Sequence, residues 1–193
     1  MQKTNLPAPR PQLPKLAELH HDVATAFKND ELKTLLNQPP HASWVKKNPY
    51  ANNAEYLPID KIEMLLDRIF QQWSVEVKET KQLFNAIIVS VRIHYLHPIT
   101  GEWRFHDGVG AKELQTVKGS GPLKLDFSNV NKGAVEMAAP IAKSMAIKDA
   151  CDHLGKLFGR DLNRKDTIDF TGSYEQPKQE PTTQLNHTEN FEL

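Results

Sequence analysis

The residues of this 193-residue chain whose types and spacing could do chemistry are mostly basic. His153, Lys156 and Arg160 stand three and four residues apart, so a helix would carry them on one face. Arg92 and Arg104, with His94 and His106, alternate with apolar residues and so fall on the polar face of strands. Lys112, Lys118, Lys124 and Lys132 lie in or near a loop containing Gly119, Gly121 and Pro122. Lys46 and Lys47 stand beside Trp44, which reads first as a packing residue. Basic side chains that follow a phosphate backbone neutralise it and leave base edges free to pair. That is the chemistry of holding a single nucleic-acid strand.

Other chemistries are poorly supplied. His94, His106 and Asp107 could suggest a metal-dependent nuclease, but further ligands would have to surround them, and a His-Asp dipeptide is common by chance. No Cys/His cluster has zinc spacing, so no metal is expected. A single cysteine, Cys151, cannot close an internal disulfide and fits a reducing cytoplasm. No G-x-x-x-x-G-K-[ST] occurs, which argues against an ATP-driven engine, and no cofactor or catalytic residue is expected. The first residues lack the apolar core of a signal peptide, and no apolar run approaches the ~20 residues that span a bilayer.

The formal net charge of zero conceals a gradient. Residues 40–165 hold eighteen basic and fourteen acidic side chains; residues 166–193 hold one basic residue, Lys178, and six acidic ones. An acidic tail masks a mildly basic body.

The elements that must position these groups read as follows. Pro7, Pro9, Pro11 and Pro14 make residues 1–15 an extended arm. Leu16, Leu19, Val23 and Phe27 recur at helical spacing, and Asn29 or Asp30 could cap a second short helix carrying Leu32, Leu35 and Leu36. Residues 41–55 read as a loop. Pro58, Asp60 and Glu63 suit the first turn of a helix whose apolar stripe is Ile62, Leu65, Leu66 and Ile69. From Trp73 the period falls to two, giving a β-meander with one buried face through Val75, Val77, the run 87–96, and Trp103, Phe105 and Val109. A long helix over 134–158 carries Ala139, Ala142, Ala146, Ala150, Leu154 and Leu157 on one stripe, small enough to approach a sheet closely. Pro140 marks its start or a kink, and Gly159 its stop. The polar residues from 165 onward read as a disordered acidic tail. The expected fold class is α+β: N-terminal helices and a three-stranded antiparallel meander packed on a long C-terminal helix, forming one domain over 16–164.

The pieces YLPIDKIEMLLDRIFQQW (residues 56–73), VSVRIHYL (89–96), GEWRFHDGVGA (101–111) and AKSMAIKDACDHLGKLFGRDL (142–162), in that order, resemble the Rad fifty-two family of single-strand annealing proteins, in particular its short phage-type members. Ala146, Asp149, Ala150 and the later Phe158-Gly159 match the family's pattern in the final helix. The resemblance implies a curved sheet on a long helix, subunits joined through sheet edges into a ring or helical filament, a DNA groove, and no need for nucleotide. It implies DNA contacts at Lys61, which matches a family arginine, and at the family's basic positions corresponding to Asp152, His153 and Lys156. Asp152 departs from that pattern; Asp149 is expected to be a packing or capping partner. The DNA-binding set expected from residues and resemblance together is Lys61, Arg92, Arg104, Lys112, Lys118, His153, Lys156 and Arg160.

The function expected is therefore ATP-independent annealing of complementary DNA strands during recombination, in the cytoplasm of a bacterial host, by a homo-oligomer that binds single-stranded DNA. The alternatives are a passive single-strand binder and, third, the metal-dependent nuclease. The acidic tail is given two alternative jobs, mimicking DNA or recruiting a host single-strand-binding protein.

Overall fold

The computed structural model describes residues 22–49, 51–117 and 127–165. The proline-containing arm, the acidic tail beyond Lys165, Lys118 and Lys124 lie outside these residues. Helix α1 (Val23–Leu36) is followed by a short hairpin, β1 (Lys46–Asn48) and β2 (Ala54–Tyr56), then helix α2 (Ile59–Ile69). Three eleven-residue strands come next: β3 (Trp73–Leu83), β4 (Ala86–Leu96) and β5 (Trp103–Glu113). Helix α3 (Ala134–Asp152) closes the order, with a 3-10 turn at Lys156–Phe158 behind it. The sheet is antiparallel in the order β3-β4-β5. This is the α+β arrangement expected, with the meander packed on the C-terminal helix.

Local chemistry explains where the elements begin. Asp22 caps α1: its Oδ1 accepts the Thr25 N–H at 3.1 Å and its Oδ2 the Thr25 hydroxyl at 2.6 Å. The helix then runs unbroken through Asn29 and Asp30, so the cap expected there is not used; once Asp22 has started the helix, propagation past two weak formers is cheap. Residues 41–55 are not wholly loop, because they hold the β1–β2 hairpin. Its backbone is tied down by Asn163, whose Oδ1 accepts the Glu55 N–H at 2.7 Å and whose Nδ2 donates to the Glu55 carbonyl at 2.8 Å. Pro58 sits at the N-cap of α2, and Ile62, Leu65 and Leu66 bury its apolar stripe.

The core lies between the inner face of the sheet, α2 and α3. Ile62, Leu66, Val91, Ile93, Cys151 and Phe158 are the largest fully buried side chains. Helix α3 approaches β5 through Ala142, Ala146 and Ala150, all fully buried. Opposite them stand Gly108 and Gly110. A Cβ at Gly108 would overlap the Ala146 carbonyl and the Ala150 nitrogen, and one at Gly110 the Ala142 carbonyl and the Ala146 nitrogen. Backbone thus lies almost against backbone.

That contact decides the faces of β5 and corrects the sequence reading. Gly108 and Gly110 point inward, so Trp103, Phe105 and Val109 point outward and are 59%, 53% and 56% exposed. Helix α3 also ends earlier than expected, at Asp152 and not Phe158. Gly155, at φ 148°, redirects the chain over the end of α1, where any Cβ would strike the Leu36 carbonyl. Gly159 ends the short 3-10 turn instead. The buried stripe of α3 begins at Ala134 and Ala138, and Pro140 is accommodated within the helix.

Candidate nucleic-acid interface

The pairing of β4 with β5 determines which basic side chains can act together. Tyr95 faces Arg104, Ile93 faces His106, and Arg92 faces Asp107. Even-numbered residues of β4 therefore share a face with odd-numbered residues of β5. Arg92 and His94 lie on the outer face with Phe105 and Asp107; Arg104 and His106 lie on the inner face with Tyr95 and Ile93. The single polar strip of Arg92, His94, Arg104 and His106 does not exist. The nuclease alternative loses its geometry for the same reason, because His106 is turned away from His94 and Asp107. Among the described residues no group of three or more His, Cys, Asp or Glu side chains could hold a metal ion.

The outer face is mixed in charge. Arg92 donates to both carboxylate oxygens of Asp107, at 2.6 and 2.7 Å, and its guanidinium carbon lies 4.0 Å from the Phe105 ring centroid. This fork holds the Asp107 carboxyl below its ordinary range and raises Arg92 further. Glu76 adds a second carboxylate, 3.1 Å from His94 Nε2 and 3.1 Å from Lys78 Nζ. A phosphate arriving here would have to displace Asp107 from Arg92.

The inner face leads to a different environment. Between α1, the start of β5 and the end of α3 lies a cleft of about 390 Å³. Asp30, Lys33, Phe70, Tyr95, His97, Arg104, His106 and His153 are among the residues that line it. Its aromatic rings form a column rising from the core. Phe158 lies 6.3 Å from Phe70, and Phe70 lies 4.6 Å from Tyr95. Tyr95 stacks on His106 at 5.6 Å, and His106 stacks on His153 at 5.5 Å. Tyr95 and His106 also share a 3.1 Å hydrogen bond between the phenol and Nε2. Burial pushes the Tyr95 phenol up and the His97 and His106 imidazoles down. For His106 the neighbouring His153 and Arg160 act in the same direction. His97 is 7% exposed, and its Nδ1 accepts the Thr100 N–H at 3.3 Å.

The remaining expected residues scatter. Arg160 donates to the backbone carbonyls of Asp152, at 2.8 Å, and of His153, so it caps α3 and does not stand on it. Lys156 is half-buried in the 3-10 turn beyond the helix, so His153, Lys156 and Arg160 share no helical face. Lys61 lies 3.0 Å from Asp60 and lines neither this cleft nor the groove on the other side of β5. Lys112 lines that second groove, with Lys148, Asp149 and Tyr56. There Lys148 lies 4.8 Å from the Tyr56 ring centroid and burial lowers its pKa, while Asp149 accepts the Val109 N–H at 2.9 Å. Asp149 thus serves the edge of β5, as a packing partner. Asp152 is half-buried, and burial together with Asp149 pushes its carboxyl to about 6.

Of the eight expected residues, the structure brings Arg104 and His153 together in the cleft and sets Arg160 behind them. Sequence reasoning missed Lys33, Phe70, Tyr95 and His97. Tyr95 was visible in principle, because it shares the parity of buried Val91 and Ile93 while carrying a hydroxyl. Among the described residues no helix is long and apolar enough to cross a membrane. No family model matches this chain, and no curated protein matches it.

Proposed function

We propose that the protein binds single-stranded DNA and anneals complementary strands without ATP, as a homo-oligomer. The observation that carries this reading is the cleft at the end of α3. Lys33, Arg104 and His153, from three separate elements, line it together with Asp30, beside an aromatic column. Cations beside stacked rings suit a flexible strand, whose phosphates seek charge and whose bases seek flat surfaces. The resemblance in the order and content of the pieces from Tyr56 to Leu162 points to the same class of ligand. Base pairing would supply the free energy of annealing; the protein would neutralise phosphates and hold the strand open.

The test is fluorescence anisotropy with a labelled thymine homopolymer, combined with a salt titration. Binding that weakens linearly in log–log form with salt is expected, and Arg104→Ala should lower that slope by about one. Failure to bind any single strand at low salt would remove the proposal.

A further inference from the structure

We propose that the stacked His106–His153 pair makes this cleft a proton-coupled phosphate site, so that the protein takes up protons as it grips the backbone and binds more tightly as the pH falls. This rests on the reading of the cleft as the surface that meets the strand.

The geometry carries it. Two imidazoles 5.5 Å apart and 25° from parallel cannot both be charged without repulsion unless an anion lies beside them. The charged and titratable groups that line the cleft with the pair are Asp30 and Lys33 from α1, Tyr95 from β4, His97 after it and Arg104 at the start of β5; Arg160, past α3, acts on His106, and Glu102, just before β5, pairs with Arg104. Asp107, on the same strand as His106, points to the other face, toward Arg92, yet its charge still reaches His106 and favours the imidazolium. Arg104 Nη2 lies 2.9 Å from Glu102 Oε2. Arg104 is thus paired with Glu102, and Asp30 lines the same cleft as Lys33. The Arg160 guanidinium is engaged by the carbonyls of Asp152 and His153, where it offsets the negative end of the helix dipole. Protonation of the imidazoles adds positive charge to a cleft whose Arg104 is already paired with Glu102, and so strengthens its hold on an anion.

The surroundings of His106 set the direction. Burial first, then His153 and Arg160, disfavour its charged form in the free protein and together outweigh Asp107, which favours it. A bound phosphate reverses the sign of the nearest charge and favours imidazolium. On protonation, His106 Nε2–H can donate to the Tyr95 phenol oxygen, so the proton has a partner already in place. The bound state therefore holds more protons than the free state. By linkage, affinity rises as pH falls through the histidine range, by up to about tenfold per pH unit for each proton taken up.

The experiment has two arms on the full chain. In the first, affinity for a thymine homopolymer is measured at constant ionic strength from about pH 8 to about pH 6. A gain on the order of tenfold is expected, shrinking toward none in a His106→Gln/His153→Gln variant whose folding is checked by circular dichroism. His94→Gln, on the opposite face of the sheet, should retain the gain. In the second arm, imidazole resonances of the unmodified protein are titrated with pH in the presence and absence of inorganic phosphate. The His106 resonances should titrate at higher pH when phosphate is present. A flat affinity profile with normal strand binding would overturn the inference and leave the proposed function standing. Absence of strand binding at every pH would remove the proposed function; the phosphate arm then decides the inference, which unmoved imidazoles would overturn.

Discussion

Arg92 and Arg104 carry the same charge and stand on neighbouring strands, yet they face opposite sides of the sheet. Arg104→Ala should therefore lower the salt slope of single-strand affinity by about one, whereas Arg92→Ala should leave it near the parental value. Equal losses in the two variants would place the strand on both faces, or on neither. Arg160 is a third arginine with a third role. Arg160→Ala removes two charge-assisted hydrogen bonds to the end of α3 and should cost roughly 1–3 kcal/mol in urea unfolding. Arg104, His106 and His153 were legible in the sequence as polar candidates; Lys33, Phe70, Tyr95 and His97, and the grouping of all of them in one cleft, were not. Side-chain alternation within β4 is readable, but the turn between Leu96 and Trp103 determines which parity of β5 joins which face. Only the pairing itself supplies that. Arg160, similarly, continued a helical spacing that Gly155 had already interrupted.

At the level of elements, the tight contact is α3 against β5. Gly108→Ala and Gly110→Ala each drive a methyl group into helix backbone, which cannot yield as a side-chain end would. Each should destabilise by on the order of 3 kcal/mol or more, seen as a drop in the urea midpoint. A loss below about 0.5 kcal/mol would mean that the helix does not seat on the sheet as described. Asp152, at the end of the same helix, makes a pH-dependent contribution. Its carboxyl stands at about 6 in the fold, raised from 3.8 first by burial and then by Asp149. Between those values the folded state keeps a proton that the unfolded chain releases. The contribution of Asp152 to stability therefore falls as pH rises from about 4 to about 6. Asp152→Asn should flatten that fall in denaturation curves taken across the same range; an unchanged profile would mean the carboxyl is solvated. The three strands, α2 and most of α3 were legible because their periods are long and regular. Strand β5 was read inside out, because Trp103, Phe105 and Val109 are apolar and conventionally point inward. Gly108 and Gly110 alternate with them and have no side chain to announce a buried face. The Ala stripe of α3 was the counterpart signal, since a helix of small residues needs an equally small surface opposite.

For the whole molecule, the sheet leaves two long edges. Asp149 occupies the Val109 N–H of β5, while β3 carries Lys78 and Lys81 and a bulge between Val77 and Glu79. Charges and bulges of this kind guard an edge against indiscriminate pairing. The proposed oligomer should accordingly be discrete, several subunits at micromolar concentration by light scattering; a monomer with and without DNA would count against it. Assembly is expected only from the resemblance, because nothing in a single chain's periodicity states how many copies meet. The most direct measurement follows two complementary labelled oligonucleotides by energy transfer, with saturating protein and no nucleotide triphosphate. Pairing several-fold faster than without protein is the expected result, suppressed in Arg104→Ala. Strands that are bound yet pair no faster than when free, or that pair only when ATP is added, would contradict it.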